Sequence, residues 1–421
     1  MPDGREPITV NVLASIDEVT PAEWDACAGG ASGADNPFTA HGFLSALEDS
    51  GSVAADAGWL PRHLAVRDAA GALVAAAPLY LKSHSYGEYV FDWGWAEAYE
   101  RAGGRYYPKL LCAVPFTPVM GRRLLVRGDV APPLKDELAD ALADAMVTLT
   151  QRIGASSVHV NFATEAEWRR LGERGYLTRC GQQFHWTNHG YRHFDDFLAA
   201  LSSRKRKAIK KERRAVAGYG LDIRALTGAD ITEAHWDAFY RFYRATSDEK
   251  WGPSYLTRKF FSLLGERLRG RVVLVFVRDA AGQPVAGALN LVGGDVLYGR
   301  TWGALGGALG GVLGGRLKGA AARYDFLHFE ACYYQAIEYS IAHGLKRVEA
   351  GAQGPHKLQR GYLPTPTYSA HWIADPALRA AVERFLASER RDIAFEMQLL
   401  DAHSPFRRVQ ITEDKGENEP E

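Results

Sequence analysis

One stretch of the chain gathers groups suited to acyl or phosphate chemistry: Glu349-Ala350-Gly351-Ala352-Gln353-Gly354-Pro355-His356-Lys357-Leu358-Gln359-Arg360-Gly361-Tyr362. It follows the strand-like run LKRVEAG and so lies just past a strand's C-terminal end, where open αβ sheets bind ligands. Lys357 is a mobile point charge able to neutralise an oxyanion or a phosphate, and Arg360 offers a planar fork. Gln353, His356 and Tyr362 are candidate substrate contacts beside them. The competing reading is a surface lysine on a helical turn. Upstream, Phe326 to Gly344 reads as an amphipathic helix with Asp325 as its N-cap, and the free amides of its first turn suit a phosphate or thioester oxygen. Its polar residues His328, Glu330, Gln335 and Glu338 do not share one helical stripe, so some face a sheet edge or cleft. Glu330 is the catalytic candidate there; for His328, a substrate contact, a cap and core packing all remain open.

Two further groups stand out. Asp92 and Glu97 flank Trp93 and Trp95, and a carboxylate among aromatics is desolvated and made more basic, fit to grip an amine or take its proton. The surrounding segment, from Glu88 to Val126, is dense in Trp, Tyr, Phe and Pro; long aromatic connections tend to line sites, and the alternative is that Phe91, Trp93, Trp95 and Tyr99 pack between domains. The run Arg204 to Arg214 holds eight basic residues and a single acid, Glu212. Arg204, Lys207, Lys210 and Lys211 are its candidates for donor phosphates, against the plainer reading of a solvated helix face.

The elements that must position these groups occur twice. Val66-Arg67-Asp68-Ala69-Ala70-Gly71 followed by ALVAAAPLYL returns as Val277-Arg278-Asp279-Ala280-Ala281-Gly282 followed by QPVAGALNLV. Each is a strand, a tight Asp/Gly turn and a second strand. Each copy then has an amphipathic helix that ends at a glycine and runs into another strand: Leu134 to Gly154 into SSVHVNF, and Phe326 to Gly344 into LKRVEAG. A duplicated hairpin-helix-strand unit is expected, with cores from Val66 to Asn161 and from Val272 to Gly351. Near the N-terminus a further strand is expected at PITVNVL, then helices from Thr20-Pro21 and from Ala40 to Asp49. Between hairpin and helix, the second copy carries the Gly-rich tract Gly303 to Gly319, read as a mobile loop.

At 421 residues the chain exceeds the size at which one core usually stops growing, roughly 250–300 residues. Acids and bases balance at 50 each, so any affinity for a polyanion must come from a local patch. The four cysteines form no CxxC pair, which argues against a disulfide framework or a zinc site and fits a reducing compartment. Neither a signal-peptide core nor a run long enough to span a bilayer is present, so a cytoplasmic location is expected. A Gly-x-Ser-x-Gly elbow, HExxH and Gly-Lys-Ser/Thr are all absent, which excludes a hydrolase elbow, a zinc protease and a Walker loop. No metal or cofactor is called for.

The strings EYVFDWGWAEAYERAGGRYYPKLL, VPFTPVMGRRLL, YDFLHFEACYYQAIEYSIAHGL and GAQGPHKLQRGYLP closely resemble the FemAB-like group of predicted N-acyltransferases, associated with peptidoglycan biosynthesis or recognition. The resemblance runs from about Phe38 to Phe406. It implies an α/β fold of mixed sheets in two tandem GNAT-like acyltransferase domains, residues 1–190 and 191–421, with the working cleft mainly in or beside the second. It implies direct transfer without a covalent acyl-enzyme. Well-studied members of the wider FemABX superfamily move amino acids from aminoacyl-tRNA to the amine of a peptidoglycan precursor. Lys357 with Gly361 resembles a lysine of those relatives that faces the donor's phosphates and the reacting carbonyl. Tyr107-Pro108-Lys109 and Pro115-Phe116-Thr117-Pro118 resemble a second family signature, in which rigid prolines would fix Lys109 against an acidic acceptor group. The Gly-rich tract departs from the family pattern.

Three functions follow as expectations. The first is N-acyl transfer from an aminoacyl-tRNA-like donor to an amine, with contact to tRNA through the basic run. The second is an acyl-CoA-dependent GNAT reaction with acyl-CoA as co-substrate; Arg316-Leu317-Lys318-Gly319-Ala320-Ala321 fits the Arg/Gln-x-x-Gly-x-Gly/Ala turn of that class. The third is a non-catalytic protein that binds a peptide or glycan.

Overall fold

The computed structural model describes residues 8–29, 36–250, 254–305, 324–351 and 354–407. Most of the Gly-rich tract, the 316–321 turn and Gln353 therefore lie outside the described residues. The first half contributes β1 (Val10–Leu13), β2 (Trp59–Pro61), β3 (His63–Arg67), β4 (Leu73–Ala77), β5 (Leu79–Lys82), β6 (Lys109–Cys112), β7 (Leu125–Val126), β8 (Ser157–Ala163) and β9 (Leu177–Thr187). The second contributes β10 (Asp222–Thr227), β11 (Val272–Arg278), β12 (Pro284–Gly293), β13 (Val296–Ala304), β14 (Arg347–Glu349) and β15 (Leu363–Ile373). Gly303 and Ala304, read from sequence as the start of a mobile loop, thus belong to β13.

The duplicated hairpin is repeated bond for bond. In both, a bulge falls at the Val-Arg step, Val66/Arg67 and Val277/Arg278. The Asp68 carboxylate accepts from the amides of Ala70 and Ala72 at 3.0 and 2.9 Å, and Asp279 does the same for Ala281 and Gln283 at 3.0 and 2.9 Å. Gly71 and Gly282 take φ of 83° and 76°, which an L side chain rarely adopts. One difference follows from sequence: Pro78 has no N–H to give to the ladder. The first hairpin therefore breaks between β4 and β5, leaving β3 and β4 in a four-stranded sheet of order β1-β3-β4-β7, while β2 and β5 join the main sheet.

The main sheet has eleven strands in the order β10-β11-β12-β13-β14-β9-β15-β8-β6-β5-β2. Each copy ends in a parallel pair bridged by a crossover helix, β6 with β8 and β13 with β14. The strands that follow are exchanged. β9 comes after β8 in the chain but pairs with β14; β15 comes after β14 but pairs with β8; and β9 and β15 pair with each other. The crossover helix Pro132–Arg152 buries Leu138, Leu142 and Met146 against Leu110, Val158 and Val160. Its counterpart runs on from Leu327–Phe329 through a π-helical turn, Glu330–Tyr334, into Gln335–Ala342, and packs Phe329, Tyr333 and Ile337 on Leu297, Val348 and Trp186. The long C-terminal helix Pro376–Ala402 lays Leu378, Val382 and Leu386 over Leu177 and Ile373 at the exchange. Among the described residues no helix is long and apolar enough to cross a membrane.

Candidate active site

The sequence-selected residues fall into two separate clusters and an exposed helix. In the second copy, β13 and β14 pair only from Val296–Arg347 to Tyr298–Glu349, after which β13 leaves β14 and continues to Ala304 paired with β12. The short helix Pro355–Arg360 follows the fork, set between Gly354 at φ 123° and Gly361 at φ 89°. Gly361 also seats the Phe197 ring, which a Cβ would meet at 2.7 Å. That turn sends Lys357 back to the fork. Its ammonium donates to the carbonyls of Ala350 and Gly351 at 2.6 and 2.8 Å. Buried and, among the described residues, without a carboxylate partner, the ammonium is pushed down to about 7.

The neighbours of Lys357 are largely committed to one another. Arg360 donates from Nη2 to both oxygens of Glu212, at 2.9 and 3.0 Å, and from Nη1 to the His356 carbonyl at 2.8 Å, and stacks on Phe329 at 3.3 Å. Tyr362, expected to touch substrate, is fully buried and donates to the Tyr333 carbonyl at 3.3 Å. The His356 ring meets the Tyr333 hydroxyl at 2.9 Å, and burial with Lys357 and Arg360 nearby pushes it down to about 4, so it is neutral near pH 7. His328 packs its ring against Trp302 and Tyr333.

The helix start differs from the expectation. Phe326, at φ 64°, holds the N-cap position with no side-chain cap bond, so Asp325 does not cap. Three of the four polar residues, Glu330, Gln335 and Glu338, share a face because the π-turn brings positions five apart together, while His328 stays apart from them. Gln335 donates to Glu330 at 2.9 Å, and Arg213 binds Glu330 at 2.9 and 3.1 Å and Glu338 at 2.9 Å. Glu330, chosen from sequence as catalytic, has both oxygens engaged in this ion-pair network. The network joins the basic run, which forms the helix Ser203–Ala217, to the site. Ile209 and Val216 are buried, Glu212 and Arg213 point inward, and Arg204, Lys207, Lys210 and Lys211 are exposed, with Lys210 3.7 Å from Asp195. Glu212 also accepts from the Tyr334 hydroxyl. A lone acid among eight cations was the signal for this contact.

In the first copy, Asp92 and Lys109 do meet, but inside the protein. The Lys109 ammonium uses its three donors on Ser85 (2.7 Å), Glu88 (2.8 Å) and Asp92. No donor is left for an acidic acceptor group. Tyr106 donates to Asp92 at 2.7 Å, and Tyr107 shares a 2.9 Å bond with Ser85. Asp92 was expected to be made more basic. Burial is the largest single influence and pushes it up, but Lys109, His159 and the hydrogen bonds from Lys109 and Ser85 together hold it well below the usual carboxylate range. Glu88, not singled out from sequence, is the carboxyl that burial raises, to about 7. Lys82 lies 3.5 Å over the Trp59 ring and is pushed down to about 6 by burial. Trp93 and Glu97 are exposed on the helix Trp93–Arg101, Glu97 beside Arg101 at 3.4 Å, whereas Trp95 is buried edge-on to His371 of β15.

A family model described as FemAB-like, peptidoglycan biosynthesis/recognition, matches residues 15–309 and 308–408. The chain belongs to the FemAB-like family. No curated protein matches it in sequence. Among solved structures the FemAB-like chain is similar to FemX, at TM-score 0.51 and 12% identity over 87% of this chain and 98% of the other. It is also similar to the C-terminal domain of a putative lysylphosphatidylglycerol synthetase from Agrobacterium fabrum, at 0.50 and 10% over 89% and 97%. A tandem GNAT protein from the clavulanic acid biosynthesis pathway follows at 0.44 and 13% over 88% and 99%. At these identities the likeness to FemX and to the synthetase domain is one of fold alone.

Proposed function

We propose that this FemAB-like chain is an N-acyltransferase that moves an aminoacyl group from an aminoacyl-tRNA-like donor to an amine, with a peptidoglycan precursor as the acceptor class. One observation carries the reading: the exposed cationic helix is joined by Glu212 to Arg360, three residues from Lys357, so a polyanion face and a buried amine at a strand fork belong to one unit. Lys357 would place its charge against the carbonyl oxygen as it becomes an oxyanion, where a fixed donor in a dry site acts most strongly. Positioning by the fork supplies the rest, with the amine attacking the donor carbonyl directly. The family description and the fold of FemX support this class of reaction.

Binding measured against salt tests the donor. If tRNA lies on Lys207, Lys210 and Lys211, its affinity falls steeply with salt, and reversing those three charges lowers the log–log slope by roughly three. Lys357→Ala should abolish most turnover while leaving that slope unchanged. A flat salt response to tRNA beside saturable binding of acetyl-CoA would replace the leading donor with an acyl-CoA.

A further inference from the structure

β14 ends on a buried carboxylate. Glu349 pairs in register with Tyr298 of β13 on one side and His185 of β9 on the other, at the last step before β13 and β14 part. Opposite the fork stands Gly299, which has no side chain to fill it; a Cβ there would lie 3.4 Å from the Glu349 carbonyl. Alternation along the strand sends Val348 toward Phe329, Tyr333 and Ile337 of the crossover helix and Glu349 to the other face. That face is lined by first-copy residues: Phe38 packs on Tyr298, and Arg300 reaches the Phe116 carbonyl and Thr117.

Glu349 is 3% exposed. One oxygen meets Arg347 at 3.0 Å; the other has no hydrogen-bond partner among the described residues, where the nearest cationic candidate is His185 at 3.8 Å. A buried acceptor atom left unclaimed is costly and calls for an explanation. The groups that face it offset its charge only in part. Arg347 is itself half in solvent and shares its charge with Tyr298 and Asp295. Burial, with Arg347 and Lys357 nearby, pushes His185 down to about 3, so it is uncharged near neutrality. Burial raises the Glu349 carboxyl to about 7, against the pull of Arg347, which suits a group that must take a proton and release it again.

We propose that Glu349 is the base that takes the proton from the acceptor ammonium, and that the acceptor approaches the fork from the face bearing Tyr298, His185 and Glu349. The assignment rests on the acyltransferase reading above. The ammonium gives one proton to the Glu349 carboxylate, and the freed nitrogen lone pair forms the C–N bond to the donor carbonyl carbon. Collapse of the adduct breaks the C–O bond of an ester donor or the C–S bond of a thioester. The second N–H proton leaves with that oxygen or sulfur, and Glu349 later returns its proton to solvent.

The test compares two acceptors, lysine, whose amines are protonated at pH 7, and hydroxylamine, which is already neutral there, with alanyl-tRNA and acetyl-CoA offered as donors. If the wild type acylates neither acceptor from either donor, the acyltransferase reading fails. If it acylates both, Glu349→Gln should slow transfer to lysine by about a hundredfold or more at pH 7, with a rate that climbs as pH rises, while hydroxylamine rescues turnover to within a few-fold. Equal loss with both acceptors, or no loss, overturns the assignment and leaves Glu349 a structural partner of Arg347. Infrared titration of the protein without substrate gives an independent readout. Glu88 and Glu349 should together give carboxyl absorbance that disappears near pH 7, and E349Q should lose the Glu349 share of it; an amplitude unchanged in E349Q overturns the proposal whatever the activity.

Discussion

Ionisable side chains sealed inside this fold should leave opposite marks on its pH dependence. Glu349 is raised in the folded state from 4.5 to about 7, so the native protein favours its protonated form. The stability it contributes is complete below its unfolded pKa and is lost as pH rises through 7. Glu349→Gln keeps the neutral shape, so its advantage over wild type should open between pH 4.5 and 7 and level off at a limit on the order of 3 kcal/mol at pH 8. Lys82 runs the other way. Lowered from 10.5 to about 6, it favours the neutral amine, and its stabilisation drains as pH falls from 10.5 toward 6. Lys82→Met should therefore gain on wild type most at the acid end. Urea unfolding of both variants at pH 5 and pH 8 checks the pair, and parallel profiles would contradict the environments described. Sequence pointed to Asp92 and Lys109 but not to Glu88, Tyr106 or Lys82, because the cluster is assembled by packing between strands and loops and leaves no periodic trace. It also reversed the sense of the Asp92 shift. The flanking tryptophans were visible in the chain, while the groups that together tip the balance, Lys109, His159 and Ser85, are brought to Asp92 by the fold.

At the scale of elements, the hairpins were legible because each is written locally: alternating apolar residues, an Asp whose carboxylate caps the turn and a Gly for the positive φ. The crossover helices were legible from their period. The π-turn was not, since a five-residue step looks like a broken stripe until Arg213 is seen gathering Glu330 and Glu338. Nor was the role of Gly303. It stands opposite Gly287 across the β12–β13 ladder, and the helix Glu233–Lys250 rests on the flat spot they make. A Cβ at 303 would fall 2.4 Å from the Phe242 backbone carbon and 2.6 Å from the Tyr243 nitrogen, atoms that cannot turn aside. At Gly287 the closest neighbours are the Phe239 ring at 3.0 Å and the Val275 carbonyl at 3.2 Å, both farther off than the backbone met at 303. Gly303→Ala should thus cost about 1–3 kcal/mol and Gly287→Ala less, read from denaturant midpoints. The reverse order would mean that the helix, and not the ring, is the part that yields.

Across the whole molecule the decisive feature is the exchange of β9 and β15, which sequence could not reveal because every pairing involved joins residues far apart in the chain. The duplication suggested two units that divide near residue 190. The observed ladder instead gives each copy the strand that follows the other copy's parallel pair: β14 leans on β9, and β8 leans on β15. A piece ending at residue 190 would keep β9 but lose β15, exposing long edges of both β8 and β9, together with Trp95, Leu177 and Tyr106, which share a core with Ile373 and the helix Pro376–Ala402. A piece starting at 191 would keep β15 with neither of its partners and leave β14 with one. Unpaired edges of this kind template aggregation and remove the ladder bonds that make these strands stable. Neither piece, 1–190 or 191–421, should then fold alone, whereas the two produced together should reassemble, and the intact chain should lose near-UV and far-UV circular dichroism in a single coincident transition. If the 1–190 piece by itself unfolds cooperatively with native-like near-UV signal, the exchange is not what holds the halves together, and the fork that carries Lys357 and Glu349 would have to be regarded as the property of one unit.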